Sequence, residues 1–233
     1  MGNIASSVRE SARTAQVVFR RPKLSALSSA DDVLAALHAN PSLLHQRRYF
    51  QNETIWHRLV QRDQAAAMLR ILEAVQQMAQ DPDGMDKLVA LGIGVTHDMG
   101  PQELVSLFLN LRNANGETPL HLACMLGRHR MAELLVKKGA DPWCRDEGGG
   151  RTPLHFAAMR DQVQCIHALM KAVPPALRVN SAGTRLVDVS SDGGFTSLHY
   201  AIAFNLPRAA RTLLAYYPDL HKANHASGAR HDI

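Results

Sequence analysis

Thr118-Pro119-Leu120-His121-Leu122-Ala123 returns thirty-four residues later as Thr152-Pro153-Leu154-His155-Phe156-Ala157. Two copies of a six-residue phrase at one period describe a chain assembled from like units, each too thin to bury its apolar face alone. A third copy, Thr196-Ser197-Leu198-His199-Tyr200-Ala201, carries Ser in place of Pro, and a weaker fourth is Thr54-Ile55-Trp56-His57-Arg58-Leu59. Every position of the phrase has a physical task. The threonine hydroxyl can accept a bond from a free amide of the first helical turn. Proline at the first helical position has a suitable φ, and its missing N–H costs nothing there. Leu120 and Leu154 begin a buried stripe, Ala123 and Ala157 let a neighbouring helix approach, and Gly127 suits the left-handed residue that ends a helix. Met131, Leu134, Leu135 and Lys138 then follow at helical spacing, predicting a second helix over 131–137 before the turn at Gly139.

This order of short helix, turn, helix and extended loop, with its Thr-Pro-Leu-His phrase, resembles the ankyrin repeat of about 33 residues. The resemblance covers roughly 28–222. It implies an all-α solenoid of stacked helix-turn-helix units with extended or hairpin loops. It also implies that His57, His121, His155 and His199, which share one slot of the unit, tie neighbouring loops together by hydrogen bonds. The segment 31–41 fits the second helix of an opening unit, and 65–77 fits the second helix of the unit begun at Thr54. From Thr54 to Thr118 is 64 residues, close to two periods, so an irregular unit is expected between them, with helices at 85–91 and 101–111. About five units follow from this spacing, the first and third degenerate. They are preceded by a basic segment over 1–27 and followed by a tail over 223–233. The interval from Thr152 to Thr196 is 44 residues, and its surplus, 176–189, alternates around 180–183 as a hairpin does. Insertions of this kind go to one loop face of a repeat array, often the binding face, and a solvated decorative finger is the alternative reading.

Composition agrees with a helical array. Hydrophobic residues make up 46% of the chain and aromatics 5%, as thin layers packed through alanine and leucine require. The longest apolar stretch, 88–95, holds two glycines and is far shorter than the roughly 20 residues of a spanning helix. The start has no apolar secretory core. Three cysteines, Cys124, Cys144 and Cys165, form no C-x-x-C pair and suit a reducing compartment. Cys124 and Cys165 fall on helices as small buried hydrophobes, and Cys144 in a loop is reactive only if something lowers its pKa. His221, His225 and His231 read as a polar tail rather than a metal site. No phosphate loop, nucleophile elbow or paired-carboxylate signature occurs, so the expectation is no catalytic residue, no metal, no cofactor and no small-molecule substrate.

The amino terminus carries a second signal. Met1-Gly2-Asn3-Ile4-Ala5-Ser6 fits the myristoylation pattern, with Gly2 as acceptor. Arg9, Arg13, Arg20, Arg21 and Lys23 follow against one acid, Glu10, and Ile4, Val8, Ala12, Ala15 and Phe19 share one side of a helical wheel. One acyl chain holds a membrane only marginally, and a basic cluster near anionic lipid is the usual second element. An Arg-rich, acid-poor amphipathic start also fits an organellar transit peptide, and a plain polar tail is the third reading. This segment supplies most of the formal charge of +5, leaving the repeats near neutral and unlike a nucleic-acid-binding surface.

These readings describe a non-catalytic protein-interaction scaffold or adaptor, cytoplasmic and held at the inner membrane leaflet through its N-terminus. The alternative location is an organelle. Its protein partner would meet the face made by loop tips and first helices. The candidate contacts there are Met125, Arg128, His129, Trp143, Arg145, Asp146, Arg151, Met159 and Arg160. Trp143 either anchors that partner or packs on its own repeat. The layout is also similar to plant ankyrin–RING ubiquitin ligases, which start with Met-Gly before their repeats. This chain has no cysteine–histidine run of a RING, so in that reading it is the recognition part of a larger enzyme. After 207–216 the next loop begins without a further Thr-Pro helix, which leaves an apolar edge for self-association, for docking or for a missing repeat.

Overall fold

The computed structural model describes residues 30–44, 52–216 and 218–220. Gly2, Arg9, Arg13, Arg20, Arg21 and Lys23 lie outside the described residues, as do His221, His225, His231 and the 223–233 tail. Among the described residues there are eleven α-helices, and pairing between extended segments is limited to two isolated antiparallel bridges. No described helix is long and apolar enough to cross a membrane.

The helices form two rows. Helix α1 is Ala30–Ala39, followed by a 3-10 turn at Pro41–Leu44. Helices α2 (Ile55–Gln61) and α3 (Ala65–Met78) make the first pair, and α4 (Pro82–Val89) and α5 (Pro101–Leu109) come next. Three further pairs follow: α6 (Pro119–Met125) with α7 (His129–Lys137), α8 (Pro153–Met159) with α9 (Val163–Ala172), and α10 (Ser197–Ala203) with α11 (Pro207–Leu214). The short helices α2, α6, α8 and α10 pack one on the next, while α1 packs on α3, α3 on α5, α7 on α9 and α9 on α11. One continuous core joins the rows, with Trp56, Leu59, Phe108, Leu120, Leu154, Cys165 and Leu198 all essentially inaccessible.

The stacking corrects one expectation. No complete unit separates Thr54 from Thr118, because α2 lies directly against α6. His57 Nε2 is 3.0 Å from the carbonyl of Glu117, sixty residues away. The intervening chain contributes α4 and α5 but no short inner helix. Asp81 caps α4 by accepting from the Gly84 amide at 3.1 Å, so this helix begins earlier than the expected 85. Gly84 is required there, since a Cβ would come within 2.5 Å of the Met78 carbonyl oxygen. Helix α5 reaches the following pair at its C-terminal turn: Ser106 Oγ donates to the Gly139 carbonyl at 2.7 Å, and the Asp141 amide donates to Asn110 Oδ1 at 2.8 Å.

The 176–189 insertion is a small hairpin. Asn180 and Gly183 close its turn, and Val179 bridges Arg185. Its far side is anchored by buried Leu186, Val187 and Val189, whereas Leu177 and Val179 face solvent. The last pair exposes Ile202 and Phe204 on and just after α10, while Leu213 of α11 is fully buried.

Candidate interaction surface

The pairs that begin with a short inner helix are fastened one to the next by the same buried device. The amides of Thr54, Thr118, Thr152 and Thr196 donate to Nδ1 of the histidine three residues on, at 3.3, 3.1, 3.0 and 3.1 Å. An Nδ1 that accepts leaves Nε2 as the protonated nitrogen of the neutral ring. Nε2 of His121 then donates to the Arg151 carbonyl at 3.1 Å, and that of His155 to the Phe195 carbonyl at 3.0 Å. Burial drives the pKa of both His121 and His155 down to about 4, against the pull of those carbonyls. These rings are already spent on structure, and a general base would need a lone pair facing a substrate.

The candidate contact residues fall on two edges of the array. Along the first, each inner helix ends in one tight turn. Gln64, Arg128, Gln162 and Leu206 donate their amides to the carbonyls of Leu59, Ala123, Ala157 and Ala201 at 2.8–2.9 Å. The residue before each donor is left-handed: Asp63, Gly127, Asp161 and Asn205, with φ of 54°, 73°, 51° and 52°. Glycine takes this conformation without strain, and Asp and Asn tolerate it better than most residues. The four turns touch in sequence. Arg128 pairs with Asp63 at 3.5 Å, Gln162 fills the space over Gly127, and Arg208 pairs with Asp161 at 3.6 Å. Met125, Arg128, His129 and Met159 are half-buried along this edge, and Arg160 is exposed.

The second edge holds the loop tips, where Trp143, Arg145, Asp146 and Arg151 fall. Asp146 is buried, which corrects its expected place at a partner contact. It accepts from the Arg151 amide at 2.6 Å and from Arg151 Nε at 3.0 Å. Burial raises the Asp146 pKa, but the Arg151 bonds outweigh it and hold the carboxyl below the usual carboxylate range. Arg151 also lies 4.9 Å above the Phe156 ring, so both residues brace their own loop. Arg145 is exposed yet bonds the Ser190 carbonyl at 2.8 Å and Asp192 at 3.2 Å. Trp143 is half-buried, and its indole N–H donates to the Leu177 carbonyl at 3.1 Å. It joins its loop to the hairpin insertion rather than standing free. Cys144 donates to Asp141 at 3.3 Å, and burial pushes its pKa up to about 12, which leaves an unreactive thiol.

Sequence reasoning placed candidate residues on both edges without telling them apart. It missed Arg62, Leu126 and Phe204, all exposed and all in the slot that Arg160 occupies, eight residues after each threonine. Counting from the threonines would have found them. Among the described residues, His38, Asp81 and Asp83 bring potential ligand atoms within 4.8 Å of one another. Both carboxylates there are occupied, Asp83 by Lys87 and Asp81 by the Gly84 amide.

A family model described as ankyrin repeats matches residues 64–172 and 139–224. The chain is 30% identical over 137 residues to the E3 ubiquitin-protein ligase XBAT33 of Arabidopsis thaliana, covering 49% of this chain and 27% of that protein. It is 32% identical over 129 residues to NF-kappa-B inhibitor alpha of Rattus norvegicus, covering 54% of this chain and 39% of that protein. The match therefore spans between about a quarter and two fifths of these relatives' lengths. Among solved structures, the ankyrin repeat domain of Bcl-3 superposes with a TM-score of 0.53 at 24% identity, over 76% of this chain and 63% of that one.

Proposed function

The chain belongs to the ankyrin-repeat family, and from that premise we propose that it is a non-catalytic module that docks a partner protein along its row of tight turns and loop tips. The observation that carries this reading is how its polar groups are used. The buried histidines and Asp146 are spent on internal bonds, while exposed arginine and apolar side chains recur at matching positions along one edge. Arginine is among the residues that most often dominate interface energies. The test is proximity labelling and pull-down with the full chain in cells. A protein retained by the chain and lost on reversing the exposed arginines is the expected result, and no retained protein above background overturns the reading.

The second element of the proposal is attachment to the inner leaflet of a membrane by a myristoyl group on Gly2 with help from Arg9, Arg13, Arg20, Arg21 and Lys23. The motif and the run of basic residues support it. The chain is expected to incorporate a myristate analogue in eukaryotic cells, and Gly2→Ala is expected to move it to the soluble fraction. An unlabelled intact N-terminus overturns the anchor, and a mature N-terminus near 25 supports a transit peptide instead. A second reading, favoured by the likeness to XBAT33, makes the repeats the recognition part of a larger ubiquitin ligase. A ubiquitination assay on the product of the longest transcript separates the two.

A further inference from the structure

The slot eight residues after each threonine holds Arg62, Leu126, Arg160 and Phe204, in the order in which their turns touch. All four side chains are exposed, Leu126 at 42% and Phe204 at 53%. Neither Arg62 nor Arg160 makes an ion pair with a described residue, although Arg128 and Arg208 on the same edge are paired. The four turns and the starts of the helices after them, 61–64, 125–130, 159–162 and 203–208, carry five arginines against two aspartates. The edge is therefore basic, and this exposed line alternates cation, apolar, cation, apolar.

Spacing fixes the shape of what can meet such a line. Helices packed side by side lie about 8–10 Å apart. A polyproline-II segment rises about 3.1 Å per residue with three residues per turn, so every third side chain returns to one face after about 9 Å. A β-strand would turn alternate residues away and put positions three apart on opposite faces. We propose that Arg62, Leu126, Arg160 and Phe204 form a docking line for an extended acidic segment of a partner protein. That segment presents a carboxylate and a large apolar side chain alternately at every third residue over about ten residues. This names the partner chemistry for the docking function proposed above and rests on that reading. Opposite charge along the line sets register and encounter, while Leu126 and Phe204 supply the apolar contact.

The test is selection of random twelve-residue displayed peptides on the purified full chain, followed by fluorescence anisotropy on the enriched sequences. Enriched peptides are expected to carry Asp or Glu and Leu, Phe or Met alternating three apart, and to bind more weakly as salt rises. Arg160→Glu and Arg62→Glu are each expected to weaken them about tenfold, and replacing the facing acid of the peptide by lysine restores binding to that variant. Unchanged circular dichroism of both variants separates loss of contact from loss of fold. No enrichment, enrichment without that spacing, or binding indifferent to both reversals overturns the docking line. A cellular partner that still binds the Arg62→Glu/Arg160→Glu chain also overturns the line, while leaving the docking function standing. A chain that takes the peptide but retains no protein in cells overturns the function and leaves the line.

Discussion

Titrating the protein from pH 7 towards pH 4 is expected to remove several kcal/mol of its stability, through the protonation of two buried histidines. His121 and His155 have folded pKa values near 4, and an unfolded histidine protonates near 6.5. Between those values the unfolded chain binds more protons than the folded one, so stability falls as the pH falls. The contribution is complete above about 6.5, is lost progressively on the way down to 4, and changes little below that. Each ring accounts for about 1.4 kcal/mol per pH unit inside the window, on the order of 3 kcal/mol per ring. Asp146 acts later: its contribution is complete above the ordinary carboxylate range and is lost as the pH falls through that range towards its lower folded value. Urea unfolding followed by circular dichroism at pH 7, 5.5 and 4.5 measures the slope. His155→Asn is expected to remove about half of it. A stability that is flat between pH 6.5 and 4.5 would mean that these rings are not buried as neutral donors.

Trp56→Ala is expected to cost about 3–5 kcal/mol, a large share of what a domain of this size has to spend. Trp56 is completely buried on α2, and its ring centroid lies 6.1 Å from that of Phe108 on α5. It is thus a direct link between the first inner helix and the inserted outer one. Its indole N–H has no acceptor among the described residues, so Trp56→Phe removes an unsatisfied donor together with volume and is expected to cost only about 1 kcal/mol. Hydrogen exchange reads where the damage goes. In Trp56→Ala the amides of 104–109 should lose protection well before those of α6 and α8. Equal loss along the whole array, or none in α5, would contradict the packing of α5 on the first pair.

The fold was legible wherever a residue type had one physical use. Thr-Pro-Leu-His marks a cap, a first turn, a buried stripe and a bridging ring, and the four short helices begin at its copies. The length between Thr54 and Thr118 misled because 64 residues is also nearly twice the period, and length alone does not distinguish a full unit from two added helices. The missing Thr-Pro-Leu-His phrase in that stretch was the better guide, since no inner helix formed without it. The shared turn was half legible. Gly127 announces a left-handed residue, but Asp63, Asp161 and Asn205 do so only once their positions are aligned with it. Asp146 was misplaced because an aspartate in a glycine-rich loop reads as exposed, and only the folded loop reveals that Arg151 is beside it. Trp143 faces the hairpin because ten added residues in a later interval brought Leu177 within reach, a contact that no local pattern encodes.

The bridging histidines join residues sixty, thirty and forty positions apart, yet each spans one layer of the stack. Drawn out by its ends, such a molecule would pay out chain in unequal lengths. The layer between the first two bridged helices stores 64 residues, the next 34 and the last 44. At about 3.5 Å per extended residue, they would release roughly 220, 120 and 150 Å of contour. An optical trap would then see a sawtooth whose tooth widths identify which layer has let go, a barcode written by the insertions into an otherwise regular spring.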